Sequence, residues 1–155
     1  MSNPLFQQFQ TAFLNGVELA YFERGKRSEA HPTLLFVHAT GFHARVWDRI
    51  IEGFPEYHVL ALEQRGHGRS ENIVIDDWSV FGEDIRAFLS HLELSDVIGV
   101  GHSMGAHSLV DAASKHDGLS RLLLLDPVIV SPDAYQSLGG NPEKEEHPTA
   151  RRRRY

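Results

Sequence analysis

The chain has 155 residues, a length that suits one compact domain, with 41% hydrophobic and 10% aromatic residues and no cysteine, which excludes disulfide staples and thiolate metal ligands. Its formal charge is −6, yet four of the 15 basic residues sit in the terminal RRRRY, so the first 150 residues carry −10. An acidic body of this kind offers no basic face to nucleic acid. No run reaches the ~18 consecutive apolar residues of a membrane span, and the opening MSNPLFQQFQ has neither a basic start nor a long apolar stretch, so a cytoplasmic chain without membrane contact is expected.

In chain order, TAFLNGVELAYFERG (Thr11 to Gly25) carries two half-apolar runs around Asn15-Gly16, a pair that tolerates positive φ, which predicts an antiparallel hairpin. TLLFVHA (Thr33 to Ala39) is apolar without alternation, as in a strand covered on both faces. Trp47, Ile50, Ile51 and Phe54 then recur at helical spacing. HVLALEQRGHGRS (His58 to Ser70) returns to strand before a glycine-punctuated loop.

Phe81, Ile85, Phe88, Leu89 and Leu92 form the stripe of an amphipathic helix, with Asp76, Asp77 or Ser79 as its cap. DVIGVG (Asp96 to Gly101) is the next strand. A helix follows with Leu109, Ala112, Ala113 and His116 on one face, then a strand in RLLLLDPVIV, Arg121 to Val130. Strand and helix alternate, which predicts an α/β fold: a mostly parallel sheet with helices on both faces. From Ser131 the pattern stops, so residues 1–130 are read as the core and 131–155 as a linker with the start of a further element. The terminal arginines are read as a solvated run rather than a site for an anionic partner.

Gly101-His102-Ser103-Met104-Gly105 has the form G-x-S-x-G between a predicted strand and a predicted helix. Three readings fit. In the first, a sharp turn lifts the Ser103 hydroxyl above the sheet, and side chains two residues before and after it would collide, hence the glycines. In the second, Gly99, Gly101 and Gly105 belong to a dinucleotide-binding turn with Asp126 as the ribose acid, but Met104 stands where the third glycine belongs. In the third, the glycines only let helix pack on strand. His102 and His107 are five apart and face different ways on a helix, there is no H-E-x-x-H, and neither a metal nor a cofactor is expected.

Two more segments weigh on the choice: FVHATGFHARVWD (Phe36 to Asp48) and EQRGHGRS (Glu63 to Ser70). With GHSMGA and LLLLDPV, in this order, they resemble the α/β-hydrolase fold family across roughly Thr11 to Val130. The resemblance implies a serine hydrolase acting on a small molecule with an acyl or carbonyl group, an ester, thioester, amide, lactone or carbon–carbon bond. Ser103 matches the nucleophile, and Met104 and Thr40 match the backbone N–H donors of the oxyanion hole. His38 is then a brace for the loop. Ala39 and Glu63 depart from the family's usual glycine and aspartate.

The family's acid and base follow the nucleophile. Of the later histidines, His107 and His116 read as packing residues and His147 lies in the unpatterned tail; Asp126 reads as structural. No base is assigned, so the 155-residue chain by itself is expected to be inactive. The resemblance therefore implies the N-terminal part of the fold, lacking its last strands and most of the lid, with an inactive fragment or binding module as the alternative function. It also leaves the RLLLLDPV strand as an apolar sheet edge, from which poor folding or self-association is expected.

Overall fold

The computed structural model describes residues 8–75 and 77–129. Asp76, the proposed linker and lid start at 131–155, and His147 lie outside the described residues. Among the described residues six strands form one sheet: β1 (Phe9–Leu14), β2 (Val17–Arg24), β3 (Thr33–Val37), β4 (Val59–Leu62), β5 (Val97–His102) and β6 (Leu119–Leu125). Their spatial order is β1-β2-β4-β3-β5-β6. The β1–β2 hairpin turns at Asn15 and Gly16, both at positive φ, and β2 runs antiparallel to β4. Every pair from β4 to β6 is parallel. Crossover helices α2 (Ser79–His91) and α3 (Met104–Ala113), with the shorter α1 (Asp48–Ile51), connect them.

The unalternating run of β3 has the cause its sequence implies, cover on both faces. Leu35 and Val37 face one core with Leu60, Leu62, Ile85, Phe88 and Leu109. Leu34 and Phe36 face the other, with Val59, Ala61, Trp47 and Ile51. Successive residues of a strand point to opposite faces, so each layer takes alternate positions. On the first face α2 lies against α3, and Gly82 makes that approach possible because a Cβ there would overlap the Asp111 carboxylate.

Four local expectations are corrected. The periodicity of Trp47 to Phe54 yields a 3-10 turn, Ala44–Trp47, and only four α residues, with Ile50 47% exposed; Gly53 and Pro55 stop the helix before its second turn. His116 is not on the face of α3, which ends at the Ser114 cap; its Nδ1 accepts from the Gly118 N–H and its Nε2 meets the Ser90 hydroxyl. The last strand begins at Leu119, paired with Val97, and stops at Leu125, where Asp126 turns to φ +45° and Pro127 offers no N–H. At the α2 start the cap position falls on Trp78, whose side chain makes no capping bond, and Ser79 is the first helical residue; Asp77, one residue before the cap, accepts from the Ser79 N–H at 2.8 Å.

Candidate active site

The carboxyl ends of the parallel strands converge on one residue. β5 ends at His102 and α3 begins at Met104, so Ser103 alone makes the reversal, at φ 52° and ψ −113°. A non-glycine residue held there costs about 1–3 kcal/mol and persists only where its surroundings impose it. Three bonds do so. Its N–H donates to the Leu125 carbonyl (2.9 Å), and its own carbonyl accepts from the N–H of His107 (3.1 Å) and Val128 (3.5 Å). The side chain is half-buried, and its hydroxyl bonds to no described residue.

The flanking glycines avoid collisions, though not with each other alone. A Cβ on Gly101 would lie 2.6 Å from the Ala106 nitrogen, and one on Gly105 would strike the Val37 and His38 carbonyl oxygens at the end of β3. Gly105 thus presses α3 onto β3, and Gly99 yields to the side chains of Leu109 and Leu122. Close packing accounts for all three glycines of the dinucleotide-like pattern.

Met104 opens α3, where an N–H has no partner within the helix, and its side chain is 1% exposed. Its sulfur accepts from the Thr40 hydroxyl at 3.3 Å. The two expected oxyanion residues, 64 apart in sequence, are therefore neighbours. Neither backbone N–H donates to a described residue.

His38 is fully buried at the end of β3. Its Nε2 accepts from the Gln64 N–H (3.1 Å), so the proton sits on Nδ1 and is donated to the Ala39 carbonyl (2.8 Å). Burial lowers its pKa to about 3. With both nitrogens engaged and the ring neutral, His38 braces the loop, as expected. His67, whose pKa burial also lowers, packs against that ring and bonds the Arg65 carbonyl.

The RGHG loop is a folded support. Glu63 is fully buried; its carboxylate accepts from the backbone N–H (2.5 Å) and guanidinium (3.0 Å) of Arg69, and fills space that a Cβ on Gly68 would need. Arg65 grips Asp84 of α2 with two bonds of 2.6 Å, and Asn15 adds a third to the same carboxylate. These long-range pairs, and the bond of Gln64 to His38, have no local sequence signal. The one available hint was a run of polar residues directly after an apolar strand.

Among the described residues no side-chain hydrogen bond joins His107, His116 or Asp126 to the Ser103 hydroxyl. His107 bonds the Val128 carbonyl through Nδ1 and meets the Trp78 ring at 5.9 Å, a packing role. Asp126, read from sequence as structural, is exposed, sits at positive φ beside the Ser103 turn, and its carboxylate bonds to no described residue. Among the described residues no group of three or more His, Asp or Glu side chains is placed to hold a metal ion, and no helix is long and apolar enough to cross a membrane.

Comparison with known proteins agrees with this geometry. A family model, "Alpha/beta hydrolase family", matches residues 34–154. The lipase LipV of Mycobacterium tuberculosis is 32% identical over 99 residues, 62% of this chain and 37% of that protein. The (E)-2-((N-methylformamido)methylene)succinate hydrolase of Acinetobacter baylyi is 33% identical over 119 residues, 70% of this chain and 41% of that protein. Among solved structures, a bacterial membrane phospholipase A superposes with a TM-score of 0.72 at 29% identity, over 81% of this chain and 41% of that one. The chain spans about two fifths of the length of these relatives. The ordered motifs, the parallel sheet and these matches together make this chain a member of the alpha/beta hydrolase family.

Proposed function

We propose that this chain carries the nucleophile and oxyanion hole of a serine hydrolase that cleaves an ester, thioester, amide, lactone or carbon–carbon bond through an acyl-enzyme. The observation that carries the reading is the isolated strained turn at Ser103, between the end of β5 and the start of α3. Its hydroxyl oxygen attacks the substrate carbonyl carbon, its proton passes to a base, and the carbonyl oxygen becomes an oxyanion between the N–H groups of Met104 and Thr40. Collapse of that intermediate expels the leaving group with the proton, and water then hydrolyses the ester at Ser103. Donors fixed before the charge develops need no reorganisation, and one of them is worth about 10²–10³ in rate.

The base is assigned to no described histidine. His38 is held neutral by burial with both nitrogens bonded. In this reading the acid and base come from the portion of the fold that the longer relatives have beyond this match, as does most of the substrate pocket. A fluorophosphonate probe tests it on this chain joined to the later portion of the fold from one of the longer relatives, which supplies acid and base. Labelling of Ser103 that disappears in Ser103→Ala supports the nucleophile, and a folded fusion that stays unlabelled at Ser103 overturns it in favour of a non-catalytic module on the same scaffold.

A further inference from the structure

We propose that Gln64, directly after β4, is a positioning residue for the oxyanion hole: it grips His38 at both its ring and its main chain and so sets the direction of the loop that carries the Thr40 N–H. The proposal rests on the reading of Thr40 as an oxyanion donor.

The grip has two parts. The Gln64 backbone N–H donates to Nε2 of His38, and its side-chain Nε2 donates to the His38 carbonyl oxygen at 2.9 Å. The ring then passes the constraint forward through Nδ1 to the Ala39 carbonyl. The carbonyls of residues 38 and 39 are thus both held, one from β4 and one from within. A peptide plane is rigid, so fixing a carbonyl fixes the N–H of the next residue, and the Ala39 carbonyl belongs to the same plane as the Thr40 N–H. Gly105 also lies against the Val37 and His38 carbonyls with no room for a Cβ, so the strand end contacts both Gln64 and the first turn of α3.

Gln64 itself has a firm base. Its carbonyl accepts from the His67 N–H, and the preceding Glu63 N–H donates to Ala20 of β2. Gln64 is 2% exposed, and its Oε1 accepts from no described residue. The side chain therefore contributes a single hydrogen bond between described residues, a weak stabiliser by itself. Its effect is on direction more than on stability.

The test uses the full chain labelled with ¹⁵N, with Gln64→Met and Gln64→Leu, which keep the volume and remove the donor. The expected result is melting within about 5 °C of the parent, displaced amide resonances at Ala39 and Thr40, and an unmoved resonance at Leu125 in β6, on the far side of β5. With the same substitutions in the fusion that carries the base, phosphonylation of Ser103 by the fluorophosphonate is expected to slow about tenfold. A folded variant with unmoved Ala39 and Thr40 resonances overturns the proposal, and so does unfolding of both variants, which would make Gln64 a folding residue. Should the parent fusion resist phosphonylation, the hydrolase reading fails, while the Thr40 resonance of the chain itself still decides whether Gln64 directs that loop.

Discussion

β3 and β6 are both short apolar runs, TLLFV and LSRLLLL, and they meet opposite fates. In β3 no residue exceeds 6% exposure, whereas in β6 Leu123, Leu124 and Leu125 are 58%, 37% and 40% exposed. The difference is position. β3 lies between β4 and β5 with helices above and below, while β6 is the last strand of the order and touches helix α3 through Leu119 and Leu122. An apolar run without alternation reports that a strand is suited to cover on both faces; it does not report what supplies the cover. Among the described residues no strand pairs with the outer edge of β6, and an edge of this kind is prone to pairing with another chain.

The sharpest way to break this contrast is truncation at matched leucines. Leu35→Ala in β3 is expected to cost about 2–5 kcal/mol, and Leu123→Ala in β6 less than about 1 kcal/mol, both read from urea melts at low protein concentration. Equal costs would mean that the outer face of β6 is covered in solution, and sedimentation at rising concentration would then reveal a second copy.

A second prediction concerns the end of β3. The folded-state pKa of His38 is depressed to about 3 by burial, below the unfolded value of about 6.5. Above the unfolded value the ring is neutral in both states and has no effect. Between the two values the unfolded chain binds the extra proton, so stability falls as pH falls, by up to about 1.4 kcal/mol per unit. Urea melts at pH 7 and pH 5 should show that slope, and it should flatten in His38→Gln. An unchanged slope would show that other groups set the acid sensitivity, leaving the buried strand end electrostatically silent.

The smallest expected effect is a gain. Ser103→Gly relieves a positive φ that glycine adopts freely, and should raise stability by up to about 1 kcal/mol while removing the nucleophile. A loss of stability in that variant would place the turn's strain elsewhere.

Much of the fold was legible because its signals are local. Asn15-Gly16, the β3 run, the α2 stripe and the glycines around Ser103 each act within a few residues. Periodicity overstated α1, since Trp47, Ile50 and Phe54 fit a helix whose continuation Gly53 and Pro55 forbid. It also extended β6 through residues that Pro127 excludes from pairing. Near Ser103, the turn was readable from spacing, and the nearness of Thr40 to Met104 from the resemblance. Gln64 and the Arg65–Asp84 pair were not, because a buried polar residue is defined by partners 26 and 19 positions away, and nothing in the local sequence encodes them.

The buried contact between Glu63 and Gly68 constrains how this loop can change over evolutionary time. The longer acid occupies the volume of a side chain at 68, where the backbone also stands at φ +57°. A larger residue at 68 would have to displace the buried Glu63 carboxylate from the Arg69 N–H and also adopt a backbone conformation that glycine favours, so shortening the acid removes the first obstacle and leaves the second.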